Sequence, residues 1–236
     1  MLTYNPWGIA VVFPGDDPQG IVDSLILEHY REEFCISPGF DPSYIAELMA
    51  AGFLVMSMYA EPPKADDSAE SAILLPKLHR ERAVLRFEDI HVSGSVRRLL
   101  GRYELRPDSD FDVILSRSAA IHGDGWLTEP LLQSFTELHR NTGEYPVRMR
   151  SFGLYREGRL VAGEFGVSVG KVYTSYSGYH EENSAGTVQM ALTAQYLEAE
   201  GVALWDFGMP MAYKSRLGAK SLSREEFVRE FRRYTI

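Results

Sequence analysis

Apolar residues along the chain follow two rhythms, and each predicts its own elements. Between Val147 and Tyr176 the period is two. Val147–Tyr155 turns at Glu157-Gly158 into Leu160–Val169, and Gly170-Lys171 turns that run into Val172–Tyr176, which predicts three successive antiparallel strands. Alternation along Leu160–Val169 sets Ala162, Glu164 and Gly166 on one face, with Val161, Gly163, Phe165 and Val167 on the other. Elsewhere the spacing is helical. It predicts helices over Pro18–Phe34, from Asp41-Pro42 to a stop at Gly52, over Phe111–Ile121 behind caps at Asp108 and Ser109, and over Ser184–Glu200 ahead of Gly201. Thr128 caps a further helix, with Pro130 near its start and Gly143 past its end. Ser95–Gly101 reads as a short basic helix, and Ser223 with Glu226 forms a capping box for a last one. Short apolar runs at Ile9–Phe13, Ala83–Phe87 and Val202–Phe207 predict buried strands.

Glu61–Ser71, acidic and proline-bearing, reads as an exposed linker. It divides the chain into a small N-terminal domain at 1–70 and a main domain at 71–236. The element order of the main domain predicts an α/β fold, a mixed sheet with helices on both faces. The helix at 184–200 then joins two parallel neighbours, and a ligand site is expected where those strands part.

Composition narrows the class. With 45% hydrophobic and 24% charged residues the chain has ordinary globular composition. No apolar run reaches the roughly 18 residues of a membrane span, and the start has no signal-peptide pattern, so a soluble cytoplasmic protein is expected. Cys35 stands alone, which excludes an internal disulfide and suggests a buried thiol. The net charge of −9 is unevenly spread: residues 1–76 hold 12 acids against two bases, residues 77–106 eight bases against four acids, and residues 214–233 seven against three. Two basic segments in an acidic chain allow a basic face. Arg82, Arg97, Arg98, Arg102, Lys214 and Arg216 are the candidates to touch RNA phosphates, solvated helix faces being the plain alternative.

Several chemistries lack their residues. The six histidines are scattered along the chain, and one cysteine makes no zinc site. There is no phosphate-binding Gly-rich motif, and the one Gly-x-Ser-x-Gly match, residues 166–170, runs along a predicted strand and its turn, not into a strand-to-helix elbow.

Six segments, in order, carry a resemblance: FDPSYIAELMAAGF at 40–53, RAVLRFEDIHVSGSVRRLL at 82–100, the triplet Trp126-Leu127-Thr128, GRLVAGEFGVSVGKVY at 158–173, Glu182-Asn183-Ser184, and Trp205-Asp206-Phe207 followed by Leu217-Gly218-Ala219. Together they resemble the leucyl/phenylalanyl-tRNA–protein transferases. The resemblance implies a GNAT-like acyltransferase domain behind a small N-terminal one. It implies transfer of an amino acid from an aminoacyl-tRNA donor to the N-terminal α-amino group of a protein or peptide, without metal or organic cofactor, in the setting of N-degron protein degradation. Asp206 matches the family's catalytic aspartate, and Asn183 falls in the segment that opens the long helix. Trp126 is a candidate to stack on the terminal adenine. The chain also departs from the family. Gly208 stands where the family has glutamine, Tyr176 where it has glutamate, and Glu164 where a methionine helps line an apolar amino-acid pocket. The family's paired tryptophans are Leu74 and Leu75 here. An acyl-CoA N-acyltransferase is a second reading, although residues 182–187 lack the phosphate loop of that class. A catalytically reduced binding protein of the same fold is the third.

From the residues alone, Asp206 lies at the C-terminal end of a strand, a place from which a carboxylate can hold an ammonium and take its proton. A capping or loop aspartate is the plain alternative.

Overall fold

The computed structural model describes residues 2–60, 71–122 and 125–235, so the predicted linker lies outside the described residues apart from its last position. No helix among the described residues is long and apolar enough to cross a membrane.

The chain divides into two compact units, 1–80 with 122–147, and 81–121 with 148–236. This differs from the boundary expected at 70/71. Residues 71–80 stay with the N-terminal unit because β4 (Ser71–Lys77) pairs antiparallel with β3 (Leu54–Ala60) along its whole length. Residues 122–147 return to it because α5 (Glu129–Arg140) packs on α2 (Pro42–Ala50).

In the first unit, β1 (Thr3–Tyr4) pairs with β2 (Ala10–Val11), and α1 (Pro18–Leu27) follows. The helix stops short of the predicted Phe34: His29 has φ +49°, and Phe34 and Ile36 make isolated β-bridges. The start of α2 is as predicted, with Asp41 accepting from the amides of Ser43 and Tyr44 at 3.0 and 3.2 Å. Ile45, Leu48, Met49, Leu131, Phe135 and Leu138 are fully or almost fully buried. Cys35 is buried too.

The second unit is built on a seven-stranded sheet ordered β11-β5-β10-β9-β8-β7-β6. The strands are β5 (Glu81–Leu85), β6 (Glu104–Pro107), β7 (Arg148–Arg156), β8 (Arg159–Val169), β9 (Val172–His180), β10 (Leu204–Asp206) and β11 (Lys220–Ser223). Only β9 and β10 run parallel, and α6 (Ala185–Ala199) is the crossover between them. The predicted alternation in β8 holds. Glu164 faces α6 through Gln189, while Phe165 on the other face meets Phe111 of α4 (Phe111–His122) edge-on at 6.2 Å. In β10, Trp205 packs in one cluster with Ala194 and Leu197 of α6. Its neighbour Asp206 meets Arg82, whose guanidinium lies 4.3 Å from the Phe227 ring of α8 (Arg224–Thr235). The sheet is therefore mixed and covered on both faces, as the element order predicts.

Two local expectations change. Asp108 and Ser109 do not cap α4: Asp108 accepts from Arg148 and Arg150 at 2.7 and 2.8 Å, and the Ser109 hydroxyl donates to the Arg106 carbonyl. The capping box of α8 does form, with Ser223 N–H donating to Glu226 at 2.9 Å and Glu226 N–H to the Ser223 hydroxyl at 3.2 Å. The short α3 (Gly94–Arg97) and α7 (Ala212–Leu217) complete the unit.

Candidate functional site

Pairing of β9 with β10 ends at Thr174–Asp206, while β9 runs on to His180. Beyond that point the two parallel strands part, and the gap holds a cavity of about 400 Å³. Its walls come from β8 and β9, the first turns of α6, and the segment from Phe207 to Lys214.

A bulge shapes the wall. Phe165 lies opposite Ser177 and Gly166 opposite Ser175, which leaves Tyr176 as the extra residue of β9. Its ring stacks on Phe165 with centroids 6.1 Å apart and planes 19° apart. Such an insertion re-aims side chains beside a site. Ser175, just before the bulge and on the same face as Tyr173, donates to Glu164 Oε1 at 3.1 Å and receives the Trp205 indole N–H at 2.7 Å.

Glu164 is the ionisable group at the deep end. It is 6% exposed. Tyr173 donates to the same Oε1 at 2.9 Å, and Gln189 of α6 stands beside the carboxyl with its amide donating to Thr193 at 2.9 Å. Burial pushes the carboxyl up to about 7, against the polar neighbours Tyr173, Gln189 and Ser175, which favour the anion. Burial, followed by the charge of Glu164, holds the Tyr173 phenol well above its ordinary range, so it stays a donor. Tyr213, on the rim, is raised by burial and then by Glu164.

The other site residues expected from the sequence separate. Tyr176 lines the cavity. Asn183 is exposed and outside the cavity lining. Gly208, at φ +69°, sits in the turn after β10, where its N–H donates to Asp206 at 2.8 Å. Trp126 belongs to the first unit, where it is half-buried and its carbonyl accepts from Ser57.

Asp206 requires a correction. It is fully buried and does not line the cavity, because alternation in β10 turns it to the face opposite Trp205. It accepts from Arg82 Nε and Nη2 at 3.1 and 2.5 Å, from the Thr174 hydroxyl at 3.0 Å, and from Gly208. This is a structural ion pair that fixes the end of β10 on β5, and it leaves no face for an incoming ammonium.

Two RNA candidates are corrected on the same ground. Arg82 is 0% exposed and committed to Asp206. Lys214 is buried, its ammonium donating to the carbonyls of Phe207 and Met209, each at 2.7 Å. Burial lowers its pKa, with Asp206 opposing. Arg97, Arg98, Arg102 and Arg216 are exposed. Arg216 and His91 line a second cavity of about 420 Å³ that shares Thr187, Met190 and Tyr213 with the first.

Ser175, Gln189, Met190 and Tyr213 went unread in the sequence. Gln189 carried a signal, being the one amide on the buried side of a helix otherwise lined by Val188, Ala191, Ala194 and Leu197. The others carried none, since their place depends on the bulge and on the β10–α7 turn.

A cavity at the parting of parallel strands in a mixed sheet defines an α/β protein with a ligand site at its topological switch point. The family model for leucyl/phenylalanyl-tRNA protein transferase matches residues 84–232, and the chain belongs to that family. Relatives named leucyl/phenylalanyl-tRNA–protein transferase include that of Pseudomonas entomophila (strain L48), 32% identical over 158 residues, covering 65% of this chain and 68% of the relative. That of Pseudomonas putida (strain W619) is 32% identical over 62% of this chain and 65% of the relative, so the chain spans slightly less than two thirds of it. That of Rubrobacter xylanophilus is 31% identical over 63% and 76%. Among solved structures, FemX superposes with a TM-score of 0.48 at 11% identity, covering 94% of this chain and 80% of that one. A GCN5-related N-acetyltransferase from Anabaena variabilis gives 0.41 at 10%, covering 91% and 53%.

Proposed function

We propose that the protein is an aminoacyltransferase that takes an amino acid from the 3′ end of an aminoacyl-tRNA and joins it to the N-terminal α-amino group of a protein or peptide. The observation that carries this reading is that the family match over 84–232 takes in every residue of the cavity wall. The topology agrees with it: a GNAT-like unit places an acyl donor where the parallel pair parts.

The chemistry asks little of the protein. The donor ester is already activated, and an α-amino group with a pKa of about 7.7–8.0 is partly neutral near pH 7. The amine nitrogen attacks the ester carbonyl, the carbon–oxygen bond to the ribose breaks, and the released ribose oxygen recovers a proton. Alignment of amine and ester supplies on the order of 7–11 kcal/mol, against roughly 10²–10⁴-fold for a general base. Positioning dominates, so the missing glutamine at Gly208 and the occupied carboxylate of Asp206 are compatible with turnover.

Arg97, Arg98, Arg102 and Arg216 remain the proposed phosphate ligands, and Trp126 the stacking platform for the terminal base. A cytoplasmic setting and a part in N-degron protein degradation go with the family reading.

The test is incubation with charged tRNAs and peptides that begin with Arg or Lys. A mass increase of one amino-acid residue on the peptide is expected. Acyl transfer from acyl-CoA and from no charged tRNA would replace this reading with an N-acyltransferase, and binding without turnover would replace it with a reduced binding protein.

A further inference from the structure

The deep end of the cavity carries a carboxylate that its surroundings do not neutralise. None of the ion pairs of the described residues includes Glu164. Its neighbours Tyr173, Ser175 and Gln189 are neutral. A carboxylate has about four acceptor positions, and the bonds from Tyr173 and Ser175 both fall on Oε1, which leaves acceptor capacity. Lys214 also lines the cavity, its ammonium donating to the carbonyls of Phe207 and Met209 and pairing with no carboxylate, and Arg150 pairs with Asp108. A buried anion without a counter-charge is unfavourable, and a ligand that brings a cation relieves it. Met190 and Phe207 contribute apolar surface to the same wall. An aliphatic stem that ends in a positive head fits such a combination.

We propose that Glu164 reads the side chain of the transferred amino acid, and that the donor is a tRNA charged with lysine or arginine rather than with an apolar amino acid. The proposal rests on the aminoacyl-transfer reading and names the substrate of the same site. The donor is favoured over the acceptor as the source of the cation because the adjoining cavity carries the exposed Arg216. Arg216 and His91 stand where it shares Thr187, Met190 and Tyr213 with the first. The molecule whose side chain reaches Glu164 thus continues toward groups that suit phosphates, and of the two substrates only the tRNA carries them.

The test uses the full chain and stable 3′-amide analogues of lysyl-, arginyl- and leucyl-adenosine in titration calorimetry, with transfer from the matching charged tRNAs to one peptide measured in parallel. The basic analogues are expected to bind at least tenfold more tightly than the leucyl one. Glu164→Gln, nearly equal in shape, should cut that preference roughly ten- to hundredfold, the range for losing a hydrogen-bonded charge partner. Tyr173→Phe, which keeps the charge, should retain the preference, and Glu164→Met should turn it toward leucine. A wild-type protein that binds or transfers leucine as well as lysine overturns the proposal. So does a preference that survives Glu164→Gln, or one that follows the first residue of the acceptor peptide. Each of these outcomes leaves the aminoacyl-transfer reading standing, whereas no transfer from any charged tRNA defeats that reading with it.

Discussion

Glu164→Gln tests the physical basis of the site without a substrate. In the folded protein the carboxyl sits at about 7, against an ordinary value of 4.5, because burial disfavours the anion. Between those values the folded state holds a proton that the unfolded chain has released. Stability therefore falls as pH rises through this window, levels off above about 7, and is unaffected below 4.5. The displacement from 4.5 to about 7 corresponds to about 3 kcal/mol of unfavourable ionisation. Glutamine cannot ionise. It has one acceptor oxygen for Tyr173 and Ser175, so its stability carries a constant offset, but the pH-dependent part disappears. Urea denaturation of both proteins from pH 4 to 8.5 gives the difference directly. The variant should gain about 3 kcal/mol on the wild type between pH 4.5 and 8, with the curves parallel outside that range. A difference that stays flat across the window would refute the account of Glu164 as a buried, uncompensated carboxyl.

Asp206→Ala should behave as a folding variant more than a catalytic one. It leaves the Arg82 guanidinium buried without its partner, and such losses cost about 3–5 kcal/mol. Chemical denaturation checks this, and wild-type stability in the alanine variant would show that the ion pair is not what fixes β10. Reversing Arg97 and Arg98 to glutamate should weaken tRNA binding and lower the slope of log affinity against log salt by about 0.7–0.9 for each phosphate that is no longer neutralised. A filter-binding salt titration with an unchanged slope would place the RNA path elsewhere.

Where a signal is local, the sequence determined the outcome. The strands from 147 to 176 appear because period two and the turns at Glu157-Gly158 and Gly170-Lys171 are properties of neighbouring residues. The start of α2 and the capping box of α8 follow for the same reason, since each cap lies within three residues of its partner. Alternation along β8 likewise placed Glu164 on its face, and the order of short motifs pointed to the family. The tertiary structure decided which charged groups are free to act. Asp206 and Arg82 are 124 residues apart, and only the pairing of β10 with β5 brings them together. That pairing turned a predicted base and a predicted phosphate ligand into one internal ion pair. Lys214 was withdrawn from solvent by carbonyls of the β10–α7 turn. Sequence alternation names the two faces of a strand but not what covers each, so the charge left uncompensated at Glu164 became visible only once α6 and the bulge at Tyr176 were in place.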